Sequence, residues 1–191
     1  MTGVQFMTRQ NFSTFALVAL ARDDARDAAT FQLKSKDLID GERIAMKHVY
    51  NAVGCVGENL SPELSWDNPP PGTKSFAVLA HDPDAPTGGA GFWHWIVVDI
   101  PADIRNLKQN SGAASGKNLP IGAQMLETDF AEKAYGGPCP PPGAPHRYVF
   151  TIYALKIDKL GDAALGRTAI AGFTIEQNAL AKSSLTGFFG R

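Results

Sequence analysis

The chain lacks an excess of either charge, because 18 Lys and Arg residues stand against 19 Asp and Glu, a formal net charge of −1 at pH 7. It shows no basic stripe that would neutralise a phosphate backbone, so nucleic acid is not an expected partner. Long apolar runs are missing too. The longest covers residues 15–21, far fewer than the roughly 20 that span a bilayer. We therefore expect at most a peripheral membrane contact.

Cysteine is scarce: the chain has only Cys55 and Cys139, each in a segment rich in Gly and Pro. They could form one disulfide in an oxidising compartment or remain two thiols in the cytosol, and the sequence leaves both open. The spacing Cys-x-x-Cys is absent, so a structural zinc site built from them is not expected.

A length of 191 residues suits one well-buried domain. We assign residues 31–191 to this domain and residues 1–30 to an N-terminal extension. Residues 12–21 are typical either of a short helix or of a weak signal peptide that ends near Ala21. The sequence favours a cytoplasmic location, with a periplasmic or secreted one following if residues 1–21 are a signal peptide.

Three apolar runs rich in β-branched and aromatic residues predict strands over residues 75–82, 94–100 and 147–155. Near the C-terminus, Thr174 and Gln177 have the spacing of a capping box. They predict a helix that continues to Leu185 and stops at Gly187. The predicted fold is mainly β, with a few peripheral helices that include one near the C-terminus.

Polar residues mark one end of each predicted strand. Asp82 closes the first strand, His94 opens the second, and His146 stands at the mouth of the third. Rigid Pro and Gly turns adjoin all three positions, and such junctions present side chains to a pocket. The two-residue period of a strand predicts that Trp93 and Trp95 share one face while His94 lies on the other.

These residue types suit the binding of a small anion. An imidazole can donate a hydrogen bond to a phosphate-type oxygen, and a carboxylate such as Asp82 can hold one tautomer of a neighbouring ring. Gly136 and Gly137 would let a ligand meet bare backbone, or they serve only turn geometry. Alternatively, each histidine is an ordinary core residue and Asp82 caps the turn that follows it.

Two chemical alternatives use the same residues. Asp82, His94 and His146 are an acceptable ligand set for a catalytic zinc ion, but no short His-x-x-x-His pair accompanies them. Cys139 with His146 would suit thiol catalysis, although a proline on each side of Cys139 favours a structural cysteine. We expect no metal and no cofactor.

Several motifs together resemble the phosphatidylethanolamine-binding protein family, also called Raf-kinase-inhibitor-like proteins, and its bacterial and archaeal branch in particular. The resemblance covers residues 31–191. The segments that carry it are Asn-Leu-Ser-Pro-Glu-Leu-Ser-Trp at 59–66, Asp-Pro-Asp-Ala-Pro at 82–86, Trp-His-Trp at 93–95, Tyr-Gly-Gly-Pro-Cys-Pro-Pro-Pro-Gly at 135–143, Pro-His-Arg-Tyr at 145–148 and Leu-Thr-Gly-Phe-Phe-Gly-Arg at 185–191.

The resemblance implies an antiparallel, β-sandwich-like fold and a small surface cavity that binds phosphate-like anions, such as phospholipid headgroups, without a metal. In that family's pattern Asp82, His94 and His146 match the pocket, and Pro86, Gly137 and Tyr148 match its lining. The short connection at residues 87–91 lacks an insertion typical of eukaryotic members, so kinase regulation does not carry over directly.

Three functions follow, in order of preference. The first is a non-enzymatic binding protein for a small anionic ligand, phosphate or a phospholipid headgroup. The second is a regulatory inhibitor of a kinase or protease that acts through the pocket rim. The third is a small-molecule enzyme that uses Asp82 and the two histidines as acid and base. The sequence leaves open the ligand, the compartment, the redox state of the cysteines and a homodimer.

Overall fold

The structure is a computed structural model that describes Met1 and residues 30–191. The predictions of a helix or a signal peptide in the N-terminal extension fall on residues 2–29, outside the described residues. The division into an extension and a domain therefore stays a prediction. Within the described part of the chain, no helix combines the length and apolar character needed to cross a bilayer.

Eight strands and two α-helices account for the regular structure of residues 30–191, beside a 3₁₀ turn at Met46–His48. In chain order they are β1 (Gln32–Lys34), β2 (Leu64–Asp67), β3 (Ser75–Asp82), β4 (Phe92–Pro101), β5 (Asn106–Leu107), β6 (Gln124–Met125), β7 (His146–Leu155), α1 (Asp162–Leu165), α2 (Thr168–Asn178) and β8 (Ala179–Phe189). The predicted mainly β fold with few helices is confirmed.

The strands form two antiparallel sheets. One has three strands in the order β1-β2-β5, and the other has five in the order β6-β4-β3-β7-β8. The main core lies between them, since Trp66 of the small sheet packs with Phe76 of the large one at a ring-centroid distance of 5.3 Å. This is the layered, sandwich-like arrangement that the resemblance implied.

The second face of the large sheet is covered as well. There Leu79 of β3 and Ile96 of β4 form a second apolar cluster with Ala171 and Ile175 of α2. A strand covered on both faces needs apolar residues at successive positions rather than at alternate ones. This explains why the sequence of β3 reads as a continuous apolar run that ends at Asp82.

The helix predicted to run to Leu185 is wrong in its bounds. The helix ends at Asn178, and the following residues form β8, which pairs with β7 from His146 opposite Phe189 to Leu155 opposite Ala179. Thr174 does not cap a helix but lies inside α2, where its hydroxyl donates to the Ile170 carbonyl. Long-range pairing along β7 satisfies the backbone of β8 and outweighs its local helical propensity.

The predicted faces of β4 are also wrong, because β4 contains a bulge. Ala80 pairs with Trp95 and His81 pairs with Trp93, so His94 is an extra residue in the ladder. Trp93 consequently packs on the face covered by α2, while Trp95 lies in the core between the sheets. His94 turns toward Tyr148, with ring centroids 5.1 Å apart. A bulge re-aims a side chain in this way.

Candidate functional site

A cavity of about 350 Å³ opens where β3 ends and where β4 and β7 begin. It brings together Asp82, His94 and His146, the three residues predicted from the strand ends, and also Pro86 and Tyr148. Its walls are mostly apolar. They are formed by Tyr50, Val53, Ala85, Pro86, Phe92, Phe130, Cys139, Pro140 and Pro141. The predicted polar residues therefore meet at one cavity with apolar walls.

Asp82 both caps the turn after β3 and orients a histidine ring, two roles that the sequence left as alternatives. Its Oδ1 accepts the backbone N–H of Asp84 at 2.8 Å, which closes the turn after β3. Its Oδ2 accepts Nδ1–H of His146, also at 2.8 Å. The Asp82 side chain is buried, and each of its oxygens accepts one hydrogen bond from within the protein. The carboxylate thus fixes the orientation of the His146 ring and leaves its Nε2 to the cavity.

His94 is held by the backbone of Gly136 from two sides. Nδ1 of the ring lies 2.6 Å from the Gly136 carbonyl oxygen, and the Gly136 N–H donates to the His94 carbonyl at 2.9 Å. A carbonyl only accepts, so Nδ1 must carry the proton. Burial lowers the pKa of His94 to about 4, although the Gly136 carbonyl and the Asp82 carboxylate oppose this shift.

The neutral ring changes the role expected for His94. With its proton on Nδ1, a neutral imidazole carries a lone pair on Nε2 and accepts hydrogen bonds there. Nε2 has no hydrogen-bond partner within residues 30–191. The sequence predicted a donor at this position, whereas in the structure His94 offers the cavity an acceptor.

Gly136 and Gly137 do not meet the cavity. A Cβ on Gly136 would lie 2.2 Å from the Phe130 ring, and one on Gly137 would lie 2.1 Å from the His48 carbonyl oxygen. The N–H of Gly137 donates to Asn59 Oδ1 at 2.7 Å. Both glycines therefore permit close packing behind the site, and Gly137 lies outside the lining that the resemblance implied.

Tyr148 lies next to Asp82 and His94 at the floor of the cavity. Its hydroxyl is buried and has no hydrogen-bond partner among the described residues. Burial raises the pKa of this hydroxyl far above its usual range, and the Asp82 carboxylate adds to the effect. The phenol therefore stays protonated and can donate. The hydroxyl could donate to a molecule bound in the cavity or to the Asp82 carboxylate beside it.

One wall of the cavity is held by a disulfide. The structure pairs Cys55 with Cys139 across a sequence separation of 84 residues. Hydrogen bonds also connect these segments, since Tyr50 N–H donates to the Pro138 carbonyl and the Arg191 guanidinium donates to the carbonyls of Pro140 and Val53. Tyr50, Val53, Cys139 and Pro140 all line the cavity. The bridge therefore ties together two segments of the same wall.

The aromatic walls were not predicted from the sequence. Phe130 packs against Tyr50 at a ring-centroid distance of 4.7 Å and against Phe92 at 5.0 Å. Phe92 lies two residues before His94, and that spacing could have placed it beside the site. Tyr50 and Phe130 come from irregular segments, where no local pattern indicates which way a side chain faces.

A groove of about 540 Å³ adjoins the cavity and shares Pro86, Pro141 and His146 with it. Arg147 lines this groove, but its guanidinium is paired with Asp84, Nη2 to Oδ1 at 2.7 Å and Nε to Oδ2 at 3.0 Å. Arg147 lowers the pKa of the Asp84 carboxyl to about 2. Of the described residues, no lysine and no arginine lines the cavity itself.

The described residues hold no prearranged cluster of ligands for the zinc alternative. Within Met1 and residues 30–191, no group of three or more His, Cys, Asp or Glu side chains is placed to hold a metal ion. Asp82 Oδ2 and His146 Nδ1, which belong to two of the candidate ligands, are instead hydrogen-bonded to each other.

Fold and site together define a class: a β protein with a small cavity whose apolar walls lead to a carboxylate, two imidazoles and a phenol. A family model described as phosphatidylethanolamine-binding protein matches residues 34–190. The chain belongs to the phosphatidylethanolamine-binding protein family. This confirms the assignment that the motifs suggested.

Relatives of known sequence support the same assignment. The UPF0098 protein YbhB of Escherichia coli is 44% identical over 158 residues, which cover 83% of this chain and 99% of the relative. A UPF0098 protein of Aquifex aeolicus is 39% identical over 141 residues, with coverage of 70% and 72%. The match to YbhB spans almost the whole relative.

A solved structure confirms the fold. The crystal structure of Escherichia coli YbcL, described as a new member of the mammalian phosphatidylethanolamine-binding protein (PEBP) family, superposes with a TM-score of 0.82 at 41% identity. The superposition covers 85% of this chain and 99% of YbcL.

Proposed function

We propose that the cavity binds a small phosphate-type anion, either free phosphate or the phosphate of a lipid headgroup, and that the protein acts by binding rather than by catalysis. The observation that carries the proposal is unused hydrogen-bonding capacity at the cavity floor. Nε2 of His94, Nε2 of His146 and the Tyr148 hydroxyl have no partner among residues 30–191. The family's description as phosphatidylethanolamine-binding supports the same class of ligand.

The geometry suits an oxyanion in two further respects. The Tyr148 hydroxyl and the His146 ring come from the same strand, β7, so a rigid element positions both. Asp82 accepts the Asp84 N–H through Oδ1 and orients the His146 ring through Oδ2. The apolar walls exclude water, and hydrogen bonds to a charged ligand are stronger in such surroundings.

Calorimetric titration of inorganic phosphate and phosphorylethanolamine tests the proposal. The titrations compare the wild-type protein with His94→Ala and His146→Ala, and use His81→Ala as a matched control. His81 lies beside Asp82 in β3 but contacts Trp93 away from the cavity, with ring centroids 4.2 Å apart. Circular dichroism and thermal unfolding verify that each variant is folded.

We expect the wild type and His81→Ala to bind equally well, and the two cavity variants to lose about tenfold or more in affinity. Equal binding by all four proteins would show that the anion binds at another place on the protein. No binding by the folded wild type would reject the proposal.

A second function, inhibition of a kinase or protease through the cavity rim, has one observation in its favour. Val53 and Val56, beside the disulfide, have exposed fractions of 78% and 85%. Val53 lines the cavity, and a contiguous exposed apolar patch is typical of a contact surface. The test is inhibition of a panel of purified kinases and proteases by the wild type and by a Val53→Asn, Val56→Ser double variant. Inhibition that only the wild type shows, with equal phosphate binding by both proteins, would support this function.

A further inference from the structure

The direction of the hydrogen bonds at the cavity floor restricts the ligand more closely than charge alone. This inference rests on the proposed function and deepens it. Nδ1–H of His94 is committed to the Gly136 carbonyl at 2.6 Å, so Nε2 faces the cavity with a lone pair. An atom that meets this lone pair must bring a hydrogen. An oxyanion without a proton cannot supply one.

The surroundings keep His94 in this state. It is 5% exposed and packs against Phe92 of its own strand, Phe130 of a loop and Tyr148 of β7. The ionisable groups that act on it are Asp82 of β3 and, from outside the cavity lining, His81 and Asp129. His146 and Tyr148 of β7 line the same cavity. Asp82 uses both oxygens in hydrogen bonds to Asp84 and His146 and makes none to His94.

The charge of the site also favours a ligand that carries a proton. No lysine or arginine is among the described residues that line the cavity, and Arg147 at the adjoining groove is paired with Asp84. The Asp82 carboxylate contributes a negative charge of its own. A ligand with one negative charge is therefore easier to accommodate than a ligand with two.

We propose that the cavity selects a phosphate monoester in its singly protonated form, with the P–OH group donating to Nε2 of His94. The remaining oxygens accept from the Tyr148 hydroxyl and from Nε2–H of His146 in its imidazolium form, in which Nδ1–H is donated to Asp82. A fully ionised monoester would set an oxygen lone pair against that of Nε2 and bring a second charge. Sulfate esters and phosphate diesters lack the P–OH group at neutral pH, so His94 discriminates against both.

Three small esters test this selection. None of them carries an ammonium group, because such a group could donate to His94 in place of P–OH. Methyl phosphate as a monoanion and methyl sulfate have similar shape and equal charge, and differ by the acidic proton. Dimethyl phosphate has the same charge and represents the diester of a lipid headgroup. Calorimetric titrations of the wild type at pH 5.5 and 7.5 compare the three.

At pH 5.5 we expect methyl phosphate to bind at least about tenfold more tightly than either of the other two esters, the cost of one unmet hydrogen bond in a buried site. The second ionisation of a phosphate monoester lies near pH 6. Selection of the monoanion therefore predicts that its affinity relative to methyl sulfate falls roughly twentyfold between pH 5.5 and 7.5. Methyl sulfate keeps a single charge over this pH range and serves as the reference, so changes in the protein that act equally on the two monoanions cancel in this ratio.

The His94→Gln variant identifies the group responsible, because an amide can rotate to donate as well as to accept. The preference for methyl phosphate should shrink in His94→Gln and persist in the matched His81→Gln. Equal wild-type affinity for methyl phosphate and methyl sulfate at pH 5.5, tighter binding of methyl phosphate at pH 7.5, or equal binding of dimethyl phosphate would overturn the inference while the proposed function stands. Failure of the wild type to bind any of the three would overturn both.

Discussion

Nδ1 of His146 donates to Oδ2 of Asp82 over 2.8 Å, although the two residues lie 64 positions apart in the chain. The same carboxylate accepts the Asp84 N–H through its other oxygen, so one side chain both ends β3 and orients a ring on β7. The pair is buried against the core rather than exposed at the surface, and only the far side of the imidazole faces the cavity.

Replacing Asp82 with Asn should separate these two tasks. The amide oxygen can still accept from Asp84, but the amide nitrogen then opposes Nδ1–H of His146, donor against donor. The imidazolium form of His146, which donates to the anion through Nε2, also loses its carboxylate partner. We therefore expect phosphate affinity to fall about tenfold, with the protonation of the His146 nitrogens changed in nitrogen-detected NMR spectra. Asp84→Asn, which disrupts only the surface pair with Arg147, is the control and should leave both measurements unchanged.

The buried state of His94 predicts a pH dependence of stability. Its pKa is lowered to about 4 in the folded protein from an ordinary value of 6.5, so the unfolded chain binds more protons between these values. The contribution of neutral His94 is therefore complete above pH 6.5 and is lost as the pH falls toward 4. We expect the free energy of unfolding to be lower at pH 5 than at pH 7 by on the order of 2 kcal/mol.

Urea unfolding at the two pH values measures this difference, and His94→Gln, which cannot titrate, should reduce it. An NMR titration that places the His94 midpoint near 6.5 in the folded protein would contradict the prediction.

Gly136 is predicted to be intolerant of any side chain. A Cβ there would lie 2.2 Å from Phe130, so Gly136→Ala must displace that ring and disturb the backbone that holds His94. We expect a loss of about 1–3 kcal/mol in the free energy of unfolding and weaker phosphate binding. Gly172→Ala is the control, because nothing lies within 4 Å of its Cβ position in α2.

Gly172→Ala should stabilise the protein by up to about 1 kcal/mol through helix propensity, without affecting the ligand. Chemical denaturation with phosphate titrations gives both quantities for both variants. Equal behaviour of the two variants would show that the contact between Gly136 and Phe130 is not as close as described.

The disulfide should contribute more to stability than to binding. It closes a long loop, with a sequence separation of 84 residues, and a native disulfide typically adds about 2–4 kcal/mol. A Cys55→Ala, Cys139→Ala variant should lose about that free energy of unfolding, which chemical denaturation measures. Hydrogen bonds from Tyr50 and Arg191 still hold the two wall segments, so phosphate affinity should change less than threefold. A reducing agent should destabilise the wild type only.

Much of the site was predictable because its residues mark local boundaries. Asp82 ends an apolar strand before a proline, and His146 follows a proline at the start of another strand, so both positions could be located from the sequence. That they meet is a property of antiparallel pairing between β3 and β7, from Ser75 opposite Leu155 to His81 opposite Val149.

What the sequence could not supply came from contacts between distant segments. The pairing with β7 made a strand of residues 179–189, where local spacing favours a helix. The partner of Cys55 depended on how two loops approach each other. The acceptor role of His94 depended on a carbonyl 42 residues away, and no local pattern indicates which ring nitrogen such a carbonyl will bind.

The bulge at His94 in β4 also has an evolutionary consequence. In a ladder without it, residues 93 and 95 would share a face, and the residue that meets the Gly136 carbonyl would change. Deleting a neighbouring residue of this strand would remove the bulge. Another side chain would then take the place of His94 at the cavity, although the His94 codon itself is unchanged. Ligand preference in such a protein can change by a shift of the backbone alone, a route that comparison of site residues position by position would miss.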